Sequence, residues 1–247
     1  MDDRYVTAGQ ISRCEHCSIR NRAVCGALHQ DELEHLNRIA RRKLVRAGET
    51  ILSDQEPAAF LGNIVSGVVK LTKTLADGRQ QIVGLQFAPD FLGRAFSAKN
   101  PYFAEAATEV ELCCFQRPDF EKLMSSHPDL EHRLFERTLH ELDAAREWMV
   151  LLGRKTAEEK VASFLLMLAN RSAMIGCAGD ETPNEARFVM PLTRSDIADY
   201  LGLTIETVSR QITRLRVRNF IRPLDSRTFL VPNLELLNRA AGHDPEF

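Results

Sequence analysis

Two sets of side chains in this 247-residue chain could do chemistry. The first is Cys14, Cys17 and Cys25, within RCEHCSIRNRAVCGALH. Two thiolates three residues apart can grip one metal centre from a single turn, and a third after seven more residues closes the loop over it. A tetrathiolate site needs a fourth cysteine from elsewhere, and Cys113, Cys114 and Cys177 are the candidates. A zinc knuckle and idle surface thiols are the competing readings of the same spacing. His16, inside the loop, is read as facing solvent.

The second set is Glu206, Ser209 and Arg210, in residues 192–220, LTRSDIADYLGLTIETVSRQITRLRVRNF. Thr193 with Asp196 three residues later is a capping-box start, and Gly202 ends that helix. Thr204 caps the next one. A short turn containing Gly is what a helix-turn-helix needs to set its second helix across the first. Ile205, Val208, Ile212 and Leu215 step by 3, 4 and 3 along one face, which would pack on Ile197, Ala198 and Leu201. Glu206, Ser209 and Arg210 are left outward in the first turns, where such a helix meets base edges in the major groove. Arg210 can grip guanine O6 and N7, Glu206 can accept from an exocyclic amine, and Ser209 can bond or touch a thymine methyl. Thr204 and Arg214 flank these readers. From 204 to 222 there are five arginines against one glutamate, inside a chain of formal net charge -2, so phosphate attraction is local.

The remaining elements must position these two sets. The start MDDRYVTAGQ is acidic without an apolar core, and the longest apolar run, residues 161–169, is broken by Ser163 and far too short for a membrane span. The expected compartment is the cytoplasm, where cysteines serve metal or redox chemistry rather than structural disulfides. After Gly26 a helix is expected with Leu28, Leu33, Leu36 and Ile39 as its stripe, ending in the basic run Arg41, Arg42, Lys43. Residues 44–120 read as short strands punctuated by Gly48, Gly62, Gly67, Gly78, Gly84 and Gly93, with Asp77-Gly78 as a hairpin turn, which suggests a small antiparallel barrel or jelly roll. Its interior could hold an effector or be an ordinary packed core.

From 128 to 155 the period is helical. Phe135, Thr138, Leu142, Ala145, Met149, Leu152 and Thr156 alternate steps of 3 and 4, a coiled-coil seam that wants a partner. A helix packed on its own barrel is the alternative, but a helix-turn-helix protein usually needs two heads for a two-fold site, which favours a homodimer. Thr156 with Glu159 starts another helix. Residues 176–184 read as a loop with Cys177 a bystander. RPLDSRTFLVPN reads as the wing of a winged helix, and residues 234–241 as a closing helix.

With these motifs in hand, the chain resembles the CRP/FNR family, in its oxygen-responsive FNR/FnrL branch, from about Cys14 to Gly242. The resemblance rests on CEHCSIRNRAVC, SGVVKLTKTLADGRQQIVGLQFAPDFLG, ELDAAREWMVLLGRKTAEEK and LTRSDIADYLGLTIETVSR. It implies an α+β chain: a cysteine-rich cluster-binding segment at 1–27, a β-roll or jelly-roll sensor domain at 28–127, a dimerisation helix at 128–155 and a winged helix-turn-helix at 156–247. It also implies that E-x-x-S-R gives Glu206, Ser209 and Arg210 the base-reading role, on the palindrome TTGAT-N4-ATCAA. An oxygen-labile [4Fe-4S] cluster would sit on Cys14, Cys17, Cys25 and one of Cys113 or Cys114. The loop with Asp77, Gly78 and Arg79 matches a family surface that touches RNA polymerase. A regulator without a cluster, or stabilised by zinc and gated by another ligand, is the alternative.

The departures from the family pattern are informative. No phosphate-gripping pair stands near Pro89–Arg94 or Tyr102–Ala106, so no cyclic nucleotide is expected. Arg146 occupies a place where relatives of this branch can carry an acid in the dimer helix, and Gln211 a place that is usually apolar. Strand period chooses between the paired cysteines: in EVELCCF, Val110, Leu112 and Cys114 share one face, and Glu109, Glu111 and Cys113 the other. Cys113 is then the expected ligand and Cys114 a small packed hydrophobe.

Overall fold

The computed structural model describes residues 5–6, 14, 16–175 and 184–242. Residues 176–183, which include Cys177, lie outside these. The chain divides into two compact units, Met1–Asp143 and Ala144–Phe247.

In the first unit a 3-10 turn at Val24–Ala27 precedes α1 (Gln30–Ile39), whose Leu33 and Leu36 are buried as the 3,4 spacing requires. The strands are β1 (Tyr5–Val6), β2 (Arg41–Val45), β3 (Thr50–Leu52), β4 (Phe60–Ser66), β5 (Val68–Thr74), β6 (Gln80–Phe87), β7 (Phe91–Leu92), β8 (Phe103–Ala106) and β9 (Val110–Gln116). They make two antiparallel sheets, in order β1-β2-β9-β4-β7 and β3-β8-β5-β6. Leu61, Ile64, Val69, Leu92 and Leu112 belong to the apolar core, which is the roll the strand spacing predicts. β9 alternates: Val110, Leu112 and Cys114 are buried, while Glu111 and Cys113 are half-buried on the opposite face. At the β5–β6 turn Gly78 has φ +87°, a conformation a side chain would strain. Asp77 there accepts from the Arg79 backbone at 3.1 Å and pairs with its guanidinium at 2.9 Å.

Two expectations for this unit need correction. The basic run 41–43 does not end α1; Ala40 turns extended (ψ 139°) and the run opens β2, because each of its residues pairs across to β9. Strand structure stops at Gln116. Phe120 belongs to α2 (Arg117–Ser126), where Pro118 suits the first turn and Phe120, Leu123 and Met124 bury one face; Phe120 stacks on Phe115 at 5.1 Å.

Helix α3 (Pro128–Arg154) begins in the first unit and ends in the second. The second unit continues with α4 (Ala157–Ile175), β10 (Ala186–Val189), α5 (Arg194–Leu201), α6 (Ile205–Val217), β11 (Arg222–Pro223), β12 (Thr228–Val231) and α7 (Leu234–Ala240). Thr156 and Glu159 cap α4 as expected, the Thr156 amide donating to Glu159 at 2.7 Å. The segment RPLDSRTFLVPN forms an antiparallel pair, β11 with β12, as the wing reading expects, and β10 adds a third strand on β12, in a register that stacks Phe188 on Phe229. Trp148 of α3 stacks on Tyr200 of α5 at 3.9 Å, which fixes the end of the long helix to its own unit. Among the described residues no helix is long and apolar enough to cross a membrane.

Candidate functional site

The helix-turn-helix is built by its own termini. The Thr193 hydroxyl accepts from the Asp196 amide at 3.1 Å while Asp196 accepts from the Thr193 amide at 3.0 Å, so two otherwise orphan donors at the start of α5 are satisfied. Gly202 is left-handed (φ 62°, ψ 45°) and closes α5, and the Thr204 hydroxyl accepts from the Thr207 amide at 3.2 Å to open α6. Val208, Gln211, Ile212 and Leu215 bury one face of α6. Ile205 was expected on that face but is 46% exposed: at the first position of the helix it precedes the turn that packs on α5. Gln211 takes the fourth inward place, and its Oε1 is buried without a partner.

The opposite face carries Glu206, Ser209, Arg210, Thr213 and Arg214, all exposed. The Arg210 guanidinium leans back to the Thr207 hydroxyl at 3.3 Å, a contact weak enough to exchange for a base. Glu206 is held below the usual carboxylate range by its own backbone N–H and by the Thr204 hydroxyl, so it presents acceptors only. Thr204 is exposed, but its hydroxyl is engaged in the cap. Arg218 pairs with Glu158 and lies over Phe220 at 4.6 Å, so it contributes less free charge than the arginine count suggests.

The predicted seam on α3 is mostly exposed. Phe135 is 59%, Leu142 45% and Met149 70% exposed, and Thr138 and Ala145 lie on the same stripe. Leu152 departs from it, being half-buried beside Gly202 in its own unit.

The thiols converge. Cys14, Cys17, Cys25 and Cys113 line one cavity of about 30 Å³ together with Asn37, Arg42 and Asn63, while Cys114 faces the core at 4% exposure. Gly26 makes the loop possible, since a Cβ there would sit 2.8 Å from the Arg20 carbonyl; Gly62 brings β4 onto β9, where a Cβ would meet the Cys113 carbonyl at 2.9 Å. Ile19, Ala23, Val24 and Leu28 sink the same loop into the core. The Cys14 thiol reaches Asn37 Oδ1 at 3.6 Å and Cys25 the Arg20 carbonyl at 3.9 Å. Burial, then repulsion from Cys17 and Cys14, pushes Cys25 up to about 12. Burial likewise raises Cys113, with Arg42 as the largest opposing influence.

This donor set suits a thiolate-ligated metal group: four soft ligands facing one space, apolar walls, and arginines (Arg41 and Arg42 in the lining, Arg20 nearby) to offset their charge. The space is water-sized, so a larger group enters only by displacing its lining. Among the described residues no three His, Cys, Asp or Glu side chains stand ready around a single ion. Sequence reasoning missed Arg42, Asn37 and Asn63, because their proximity comes from sheet register and from packing of α1, not from spacing along the chain.

Comparison with known proteins agrees with this architecture. Residues 42–127 match the cyclic nucleotide-binding domain family and residues 159–240 the Crp-like helix-turn-helix domain family. The chain is 48% identical to a probable transcriptional activator of Rhizobium leguminosarum bv. viciae over 95% of each chain. It is 42% identical to the transcriptional activator protein FnrL of Cereibacter sphaeroides, covering 96% of this chain and 94% of that one, a span that must include the cysteine segment. The structure of FixK2 from Bradyrhizobium japonicum superposes with a TM-score of 0.73 at 32% identity, covering 82% of this chain and 97% of that one. With both domain families matched and such relatives spanning almost its whole length, the chain belongs to the CRP/FNR family of DNA-binding transcription regulators.

Proposed function

We propose that this regulator is a cytoplasmic, oxygen-sensing activator that works as a homodimer with a [4Fe-4S] cluster on Cys14, Cys17, Cys25 and Cys113. The observation that carries this is the convergence of three thiols from the N-terminal loop and one from β9 on a single cavity. Similarity to FnrL, over a span that takes in the cysteine segment, supports it. When bound, the cluster supplies an oxygen-labile link between the four thiolates. The chain's own contributions are that Gly26 lets the N-terminal loop fold back on Arg20, Gly62 lets β4 lie close against Cys113, and Arg42 reaches Cys17 to offset thiolate charge. Two α3 stripes of Phe135, Thr138, Leu142, Ala145 and Met149 would pair to set the recognition helices on the two halves of TTGAT-N4-ATCAA, with Arg210 on guanine and Glu206 and Ser209 on neighbouring bases. The Asp77-Gly78-Arg79 turn, exposed and stiffened by its ion pair, is the surface offered to RNA polymerase.

The test is purification without oxygen followed by an iron assay, a visible spectrum and sedimentation before and after exposure to air. About four irons per chain, lost in air together with dimer mass or affinity for the palindrome, is the expected result. A colourless protein that reads the palindrome equally well in air would sink the cluster. That outcome is the second reading, a regulator without a cluster, or stabilised by zinc, and gated by another ligand.

A further inference from the structure

We propose that Arg42 is a positioning residue of the thiol cavity, holding the four thiolates against their mutual repulsion and so setting how tightly the site retains its metal group. This rests on the reading of the cavity as a metal site. Three neighbouring strands carry the inference. In register, Arg42 of β2 stands opposite Cys113 of β9, and Cys113 opposite Asn63 of β4, so the three form one row across the sheet with their side chains on the cavity side. The row joins the two ligand-bearing segments, because one Arg42 nitrogen, Nη2, donates to Cys17 Sγ of the loop at 3.6 Å. The other, Nη1, is clamped by Glu111 Oε1 at 2.8 Å, two residues from Cys113 on the same face of β9.

A guanidinium tied to a carboxylate through one nitrogen and to a thiol through the other is less free to swing out to solvent, and a charge held beside half-buried thiolates is screened less than one in bulk water. Its position between loop and strand lets one cation serve ligands that are far apart in sequence. Glu111 is therefore part of the device, aiming the guanidinium at Cys17. Asn63, at the far end of the row, has its Oδ1 buried and without a protein partner.

The test compares the parent chain with Arg42→Met, Arg42→Lys and Glu111→Gln, all prepared without oxygen, by the rate at which a chelator strips iron. Thermal unfolding of each variant reports whether the β-roll is intact. Outer partners of metal ligands are typically worth 10- to 100-fold in retention, so Arg42→Met should release iron roughly that much faster. Arg42→Lys should recover most of the loss, which a purely packing role would not produce, and Glu111→Gln should shift the rate in the same direction by less. Equal rates for parent and Arg42→Met overturn the inference while leaving the cluster in place. A parent without iron overturns the cluster reading and this inference together. If Arg42→Met does not fold, an unchanged rate in Glu111→Gln is the overturning result.

Discussion

The recognition helix and the thiol cavity are built in opposite ways. Every feature that makes α6 readable to DNA lies within about thirty residues of it: two caps, one left-handed glycine and a buried stripe. The cavity takes its four thiols from an N-terminal turn and a strand nearly a hundred residues later, and they meet only through packing, the loop's Ile19, Ala23, Val24 and Leu28 being buried in the same cluster against which Cys113 lies. The first is finished by protein alone. In the second, burial first and the neighbouring thiols second hold Cys25 and Cys113 to their protons, and the positive charge of a metal group would offset both costs. A local device suits a constant task such as reading bases, and a device assembled from distant parts suits a conditional one.

The sharpest way to break this contrast is at the paired cysteines. Cys113→Ser should abolish iron retention and oxygen-free binding to the palindrome, whereas Cys114→Ser, altering a core thiol, should keep both at some cost in stability. Iron per chain decides, and a Cys113→Ser protein with its full complement would show that the cavity is not the site. Next in size is Arg210→Ala. A bidentate guanine contact discriminates by about 1–3 kcal/mol and a dimer makes it twice, so specific affinity should fall more than tenfold while unfolding temperature and iron content stay put. Glu206→Ala should relax preference at one base position; a uniform loss on scrambled sequences would show that it is no reader. The smallest effect is Thr193→Ala, which removes a cap worth about 1 kcal/mol. It should lower the unfolding temperature of the second unit by a few degrees and leave iron untouched, and a change in iron would mean that the two regions are less separate than described.

The same contrast explains what could be read from the amino-acid sequence. Thr193, Gly202 and Thr204 announced the helix-turn-helix because caps and breakers act on their nearest neighbours. That Cys113 and Cys114 face opposite ways was legible from strand alternation, a two-residue rule, and Cys113 lines the cavity while Cys114 lies in the core. Ile205 misled because periodicity says which residues share a face but not where the face begins to pack. Arg42 was illegible: in the run RRK it looked like a solvated helix end, and only pairing with residue 113 reveals its neighbours. Phe120 was assigned to a strand because two buried aromatics at 115 and 120 look alike until Pro118 is seen to start a helix.

The anchoring of the thiol loop has a consequence for reversibility. Ile19, Ala23, Val24 and Leu28 are buried with no help from any metal, and each full burial of an aliphatic side chain such as Ile19, Val24 or Leu28 contributes roughly 1.5–3 kcal/mol. On the proposed reading, losing the cluster therefore leaves Cys25 and Cys113 lining the same space, and only the turn with Cys14 and Cys17 depends on what the thiols hold. Recharging such a sensor is a local repair at high effective concentration rather than a new search by the chain. On that reading, the protein could be spent by oxygen and used again without being made anew.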